Sequence, residues 1–553
     1  MFIVAYGIWK SRGNQNIKGY LLSDKNSNWL TVGLSIMATQ ASAITFLSGP
    51  GQAYADGMRF VQFYFGLPLA MIILSITAVP LYHKLNVYTA YEFLEKRFDV
   101  KTRTLAAFLF LTQRGLAAGF TIFAPSLVLS SLMGWNIYYT NLVIGVIVVL
   151  YTVSGGSKAV NQTQKTQMTI ILVGMFLAAY LLVKLLPENV GFSEALHIAG
   201  KMEKLNVIDF EFDLSNKYNI WSGMIGGLFL MLSYFGTDQS QVGRYLGGAS
   251  IAQSRMGLLF NGLLKIPMQF LILLVGALLY VFYLFSAPPA FFNQVILNDA
   301  KNGNLKNEIV LAENEFNRAI TERKKAALDL ANQLNLNNDL VIQQKAEILK
   351  TKDSETQAQR KNVIELIKKD NPKADTNDTN YVFFSFVRDF LPIGLLGLII
   401  SVIFSASMSS TSSELNALAS TTTIDIYKRL FKKDESDEHY LSFSKTATIV
   451  WGLYAIGFSM FANKLGTLIE AVNILGSLVY GTILGIFLVA FYFKSIGAKA
   501  VFIAAILAEL IVLYCFKFTE IPFLWFNVIG CLPVIAFSFI IQIWMNNSVE
   551  KTN

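Results

Sequence analysis

The sequence predicts an all-α integral membrane protein, a bundle of spanning helices with one water-facing helical insert, and three observations carry that class. Of 553 residues, 54% are hydrophobic and only 15% charged, with a mean hydropathy of +0.47, whereas soluble domains carry about 25% charged residues. The apolar residues gather in runs of the length, about 20 residues, that a helix needs to cross a bilayer. Lysines and arginines cluster in short loops between those runs, as the positive-inside bias requires. The net charge of +8 therefore reports orientation and not a nucleic-acid partner. Cys515 and Cys531 lie in apolar segments, and His83, His197 and His439 are scattered. Neither a disulfide framework nor a metal constellation of the His/Cys kind is expected.

In chain order, the apolar run Phe2 to Trp9 is too short to span and reads as the end of a truncated helix, followed by the basic residues Lys10, Arg12 and Lys18 of a cytoplasmic loop. Trp29 to Tyr54 is the next span. It carries Thr39, Gln40, Ala41, Ser42 and Ala43 in its middle, where an interruption would free backbone carbonyls, the way transporters build midplane sites. Gln40 and Ser42 could equally hold helices together. Met58 to Tyr82 spans back, and Thr104 to Leu132 spans again with Gln113 and Arg114 inside the apolar run. A charge there costs at least about 2.5 kcal/mol, so Arg114 needs a carboxylate partner, a watery cavity or a route to the interface. Ile137 to Val153 ends in a turn from Ser154 to Val160, and a span beginning at Gln164 and Lys165 runs to Leu186. Ile220 to Leu246 holds Gly236, Asp238 and Gln239 near its end, with Arg244 a candidate partner for Asp238. Met256 to Phe285 contains Asn261, Lys265 and Gln269; Lys265 lines a cavity or snorkels.

The soluble-looking piece follows, from Asp299 to Asp378. Ile309, Phe316, Ile320, Ala327, Ala331 and Leu334 form one apolar stripe, broken at Asn335 to Asp339 and resumed by Ile342, Ala346, Leu349, Val363 and Ile367, which predicts a helical hairpin. Residues 1–298 and 379–553 are then the two parts of one membrane domain, and 299–378 an external insert whose partner is unknown. After Leu391 to Ile426 comes the strongest basic cluster, Lys428, Arg429, Lys432 and Lys433, hence cytoplasmic. Spans from Leu441, Leu468, Val501 and Phe523 complete the bundle and leave the C-terminus inside. The location implied is the cell's inner (plasma) membrane, with the insert on the external or periplasmic side. No enzymatic module is appended.

The chemistry concentrates between Ser401 and Leu430. From Ser405 to Ser413 only Ala406 and Met408 lack a hydroxyl. On a helix Ser405, Ser409, Ser412, Ser413 and Asn416 share a face, and Ser410 lies near the carbonyl of Ala406 four residues before it. Hard cations seek such oxygens. Small hydroxylated residues also let membrane helices pack closely, and this stretch alone leaves both readings open.

Met408 to Asn416, with Thr423 to Lys428, resembles the signature helix of the sodium:solute symporter family. Ala38 to Leu47 resembles the family's first core helix, and Tyr234 to Leu246 a further block in the family's order. The resemblance covers nearly the whole chain except the insert. It implies a LeuT-type bundle of two inverted five-helix repeats, about 13 spans in all. It further implies a sodium-coupled symporter of a small organic solute, with sodium held by the carbonyls of Ala38, Ala41 and Ala406 and the hydroxyls of Ser409 and Ser410. A second sodium site of some members uses serines matching Ser409, Ser412 and Ser413 and an aspartate whose position here is Gln164, so that site is weakened, and Lys165 beside it adds a positive charge.

Gln40, Ser42, Thr45, Gln62, Tyr64, Arg114, Asp238, Gln239 and Lys265 are the candidate solute contacts. Sugar-transporting members place a polar and an acidic residue on the first helix, where this chain has Gln40 and Ile44. Arg114 and Lys265 favour an organic anion, a monocarboxylate or sialic-acid-like solute, over a sugar. A membrane sensor built on the same fold is the reading from another class. A channel is disfavoured because no ring of charges or carbonyls is visible.

Overall fold

A computed structural model describes residues 26–334, 338–462 and 467–550. The short first helix, its basic loop and residues 335–337 of the hairpin turn lie outside them. Among the described residues the chain is helical throughout, with one isolated bridge between Ser27 and Gly248.

The first span is two helices, α1 (Trp29–Gln40) and α2 (Ala43–Asp56), capped by Asn28 at one end and ended by Gly57 at the other. Gly57 has φ 77°, a backbone region that glycine enters without Cβ strain. Instead of one continuous helix, the return span is a 3-10 turn, Gly57–Tyr64, followed by α3 (Leu67–Ile76) and α4 (Ala78–Leu85). Pro80 explains the second break, because it has no N–H for the carbonyl of Ile76 and its ring crowds that carbonyl.

A short α5 (Tyr91–Arg97) leads to the long α6 (Val100–Met133), whose N-cap Asp99 accepts from the amide of Thr102. Next is α7, Ile137–Lys184. The turn expected at Ser154 to Val160 is helical backbone: two glycines cost a helix only about 1 kcal/mol each relative to alanine, less than the flanking apolar turns supply by packing. The side chains of 155–163, of Lys165 and of Thr166 lie outside the described residues. After α8 (Phe192–Lys201) comes a second interrupted span, a π-turn Ser222–Gly226 leading into α9 (Gly227–Gly236), then α10 (Gln239–Leu246). The third long helix, α11, is Ile251–Phe285.

The insert begins with α12 (Gln294–Lys301) and is dominated by the paired helices α13 (Lys306–Leu334) and α14 (Asp339–Asp370). A 3-10 turn, Thr379–Tyr381, and α15 (Val382–Phe390) return the chain to the bundle. There α16 (Ile393–Thr421) passes into a π-helix, Thr422–Phe431. The remaining helices are α17 (Asp437–Ser459), α18 (Leu468–Tyr492), α19 (Ala498–Phe518) and α20 (Phe523–Glu550). Nine helical stretches among the described residues are long and apolar enough to cross a membrane. Helix α16 packs against α1, α2, α6, α7, α10 and α17.

The hairpin stands on the same end of the molecule as the loop after α8. The half at its open end has its own small core, in which Ile309, Phe316 and Ile320 meet Val363 and Ile367, while Ala327, Leu330, Ile342 and Leu349 nearer the tip join the core of the bundle. Buried ions fix the base. Arg323, 2% exposed, bonds Asp353 at 3.0 Å and the carbonyl of Tyr283 at 2.8 Å, and the Tyr280 hydroxyl donates to Asp353 at 2.9 Å. Arg360 holds Asp378 at 2.6 Å, and Asp378 also accepts from the Phe292 amide. Lys350 reaches Glu203 of the loop at 2.8 Å.

Breaking a buried pair by removing one partner costs about 3–5 kcal/mol. Arg323→Met is therefore expected to undock the hairpin. Hydrogen exchange of 306–370 should accelerate at least tenfold while α16 stays protected, and unchanged protection of the hairpin would contradict this account of its anchoring.

Candidate cation and solute site

Two helix breaks lie in spans that pack on α16. At the first, Ala41 leaves helical geometry (ψ 71°) while its amide still bonds the Met37 carbonyl, and Ser42 begins α2 in extended conformation. The carbonyls just before the break lose their intrahelical donors. The Ala38 carbonyl accepts instead from the Ser410 hydroxyl, at 3.3 Å. At the second break, Thr237 ends α9 and Asp238 caps α10 by accepting from the Ser240 amide at 2.8 Å.

Helix α16 lies on the first break because its near face is small and hydroxylated, which lets backbones approach. Ala38, Ala41, Ala406, Ser409 and Ser410 are all buried. The Ser409 hydroxyl has no hydrogen-bond partner despite its burial, a cost unless a ligand is bound there. Uncharged oxygens of this kind fit a sodium ion. No cluster of His, Cys, Asp or Glu among the described residues would suit a transition metal.

The neighbouring oxygens are arranged differently. The Gln164 amide nitrogen donates to the hydroxyls of Thr39 and Ser413, both at 3.2 Å, and its oxygen accepts from Ser35 at 2.5 Å. Ser412 pairs with Thr152 at 2.7 Å, and Ser413 donates to the Ser409 carbonyl at 2.9 Å. Gln164 thus points N–H groups at oxygens that a second cation would need.

Beside these lies a cavity lined by Thr39, Gln40, Ser42, Ile44, Thr45, Tyr64, Gln113, Arg114, Tyr234, Glu414, Asn473 and Tyr480, with apolar walls from Leu230, Met231 and Ile469. Of the expected solute contacts, Gln40, Ser42, Thr45, Tyr64 and Arg114 line it. Gln62 instead holds the loop after α8, through the Tyr218 carbonyl and the Asp209 amide. Gln239 is committed to Tyr88 and Ala90. Lys265 neither lines the cavity nor snorkels. It is fully buried behind Tyr64, its ammonium 5.5 Å from that ring.

Arg114 organises the cavity wall. It bonds Asp238 directly, Tyr480 at 2.5 Å and Glu414 at 3.0 Å, while Tyr480 donates onward to Asp238 at 2.7 Å. Thr121 donates to the second oxygen of Glu414 at 2.9 Å. Asp238 is thus the partner of Arg114 and not of Arg244: it caps the start of α10, while Arg244 lies nearly two turns further along that helix. All three ions are buried, at 3%, 1% and 5% exposure for Arg114, Asp238 and Glu414, so one cation is held by two anions and the cluster carries a net negative charge. Glu414, Tyr480 and Thr121 were not singled out from the sequence. A carboxylate within a membrane span is the signal that marked Glu414, whereas nothing local distinguished Tyr480, which is 242 residues from Asp238.

Interrupted helices framing a buried polar cavity are the fold pattern of secondary transporters. Comparison with known proteins agrees: the chain superposes on a sodium-coupled sialic acid symporter, in a substrate-bound outward-open state, with a TM-score of 0.73 over 98% of this chain and 95% of that one, at 22% identity. The chain belongs to the sodium:solute symporter family, whose sequence profile matches residues 20–314 and 367–508. It is 26% identical over 497 residues to the human sodium-coupled monocarboxylate transporter 1, covering 89% of this chain and 68% of that protein. The Xenopus laevis counterpart is 24% identical over 496 residues, which are 89% of this chain and 66% of that protein. The Vibrio parahaemolyticus sodium/glucose cotransporter is 24% identical over 97% of this chain and 88% of its own length.

Arg114→Met would leave Asp238 and Glu414 as uncompensated buried charges and is expected to destabilise the protein by about 3–5 kcal/mol. Combining it with Asp238→Asn and Glu414→Gln should recover most of that loss. Thermal melting in detergent reads both, and an unaltered melting temperature in the single variant would contradict the ion cluster.

Proposed function

We propose that this protein is a sodium-coupled symporter that carries a small organic solute into the cell, with one sodium ion per turnover. The observation that carries this reading is the contact of Ser410 with the carbonyl freed by the α1–α2 break, next to the partnerless Ser409 hydroxyl and one wall away from the polar cavity. Sodium bound there ties α16 to α1 and α2. Two elements that must separate for the cavity to open inward are thereby held together, so sodium and solute favour the same state and each strengthens the binding of the other.

The LeuT-type arrangement of two inverted five-helix repeats with about 13 spans fits the pairing of the two helix breaks. The insert, residues 299–378, is an external appendage in this reading, supported by the 315–366 gap in the family profile, which falls wholly within it. The membrane is the cell's inner (plasma) membrane, with the C-terminus cytoplasmic. For the solute, Arg114 favours a molecule that contains a carboxylate, a feature shared with the sialic acid and monocarboxylate relatives. A sugar is the second reading, supported by the Vibrio relative, but apolar Ile44 occupies the cavity wall where sugar-transporting members carry an acid.

Replacing Ser409 and Ser410 together by alanine removes two sodium oxygens. Sodium-driven uptake into proteoliposomes is expected to disappear, with the melting temperature of the sodium-free protein shifted little. Retained sodium dependence would remove these residues from the site. One sodium per solute is expected for the wild type, and Gln164→Asp, which replaces an amide donor by a charged acceptor, should raise the Hill coefficient for sodium above one. Two sodium ions per turnover in the wild type would show that Gln164 already suffices.

A further inference from the structure

The charge of the cavity goes beyond what a carboxylate-binding arginine implies. Arg114 is already shared by Asp238 and Glu414. Its Nε–H is the one atom of the guanidinium left buried without a partner. The cavity wall also holds two buried oxygens that accept nothing, Gln40 Oε1 and Gln113 Oε1. A solute is thus offered one strong donor and several acceptors, one of them the anionic Glu414.

The ion cluster points the same way: it sets two carboxylates against one guanidinium, so a solute carboxylate entering alone would add a third anion beside them, which an ammonium on the same solute offsets.

We infer that Glu414 is a specificity-determining residue that restricts the solute to molecules carrying an ammonium beside a carboxylate, amino-acid-like zwitterions with an apolar side chain. The solute carboxylate meets the Arg114 Nε–H. The ammonium meets Glu414 and the oxygens of Gln40 and Gln113, while Leu230, Met231 and Ile469 accept the side chain. This rests on the sodium-symport reading and names the substrate class of that same site.

The test is a matched panel on purified full-length protein: leucine, 4-methylpentanoate, which lacks the ammonium, and leucinamide, which lacks the carboxylate, with alanine, propanoate and alaninamide as a smaller set. Thermal stabilisation and uptake are measured in sodium and in potassium. In the wild type, an amino acid should stabilise the protein in sodium and be taken up, and neither partner compound should match it. Glu414→Gln should weaken the amino acid roughly thirtyfold or more, the scale for truncating one side of a buried charge pair, and improve the deaminated acid. Glu414→Asp should keep the amino-acid preference. If Glu414→Gln fails to fold, the wild-type panel still decides. A wild type that binds the deaminated acid as well as the amino acid, in a sodium-dependent manner, overturns the inference and leaves symport standing. No response to any panel member also overturns it. Binding that ignores sodium sinks the symport reading itself.

Discussion

A guanidinium sealed between two carboxylates inside the bilayer is the constraint around which the cavity is built. Neither sign of charge is tolerable alone at that depth, and the three groups come from separate elements: Arg114 from α6, Asp238 from the α9–α10 break and Glu414 from α16. Their pairing registers two long helices and an interrupted span against one another. Tyr480 of α18 joins as a fourth element by accepting from Arg114 and donating to Asp238. The cluster therefore fixes where the breaks lie relative to the hydroxyl face of α16. Each carboxylate has a second bond, to Tyr480 or Thr121, which lowers the penalty of burying it, while the Arg114 Nε–H is left without a partner.

The proposed coupling rests on the same register. Glu414 lines the polar cavity, while Ser410, one turn earlier on the same helix, bonds the carbonyl freed at the α1–α2 break. In the proposed function one rigid element would therefore present an anion to the solute and oxygens to the cation, and a movement of α16 away from α1 would disrupt both sites at once with no longer-range pathway. The ions of the insert hold it to the end of α11 and to the loop after α8.

Much of this was legible in the chain itself. Composition and the spacing of apolar runs gave the helical membrane class, and the stripes at Ile309 to Leu334 and Ile342 to Ile367 gave the hairpin, because amphipathic period is a local property. The break at Ala41 was visible as small polar residues in mid-span. Other features depend on tertiary partners. The pairing of Asp238 with Arg114 is 124 residues distant in sequence, while Arg244 is only six positions away and so looked the natural partner. Gln239 and Gln62 have the composition of cavity residues, yet their amides are spent on backbone groups of neighbouring loops. Gly155 and Gly156 suggested a turn by propensity, and packing overrode it.

In the proposed function, sodium on α16 and solute in the cavity are moved together across a membrane. Counterflow tests it most directly: purified protein in liposomes preloaded with a neutral amino acid, with the labelled amino acid outside and either sodium or potassium on both sides. Transient accumulation of label in sodium and none in potassium is the predicted result. Equal accumulation in both salts would contradict the account.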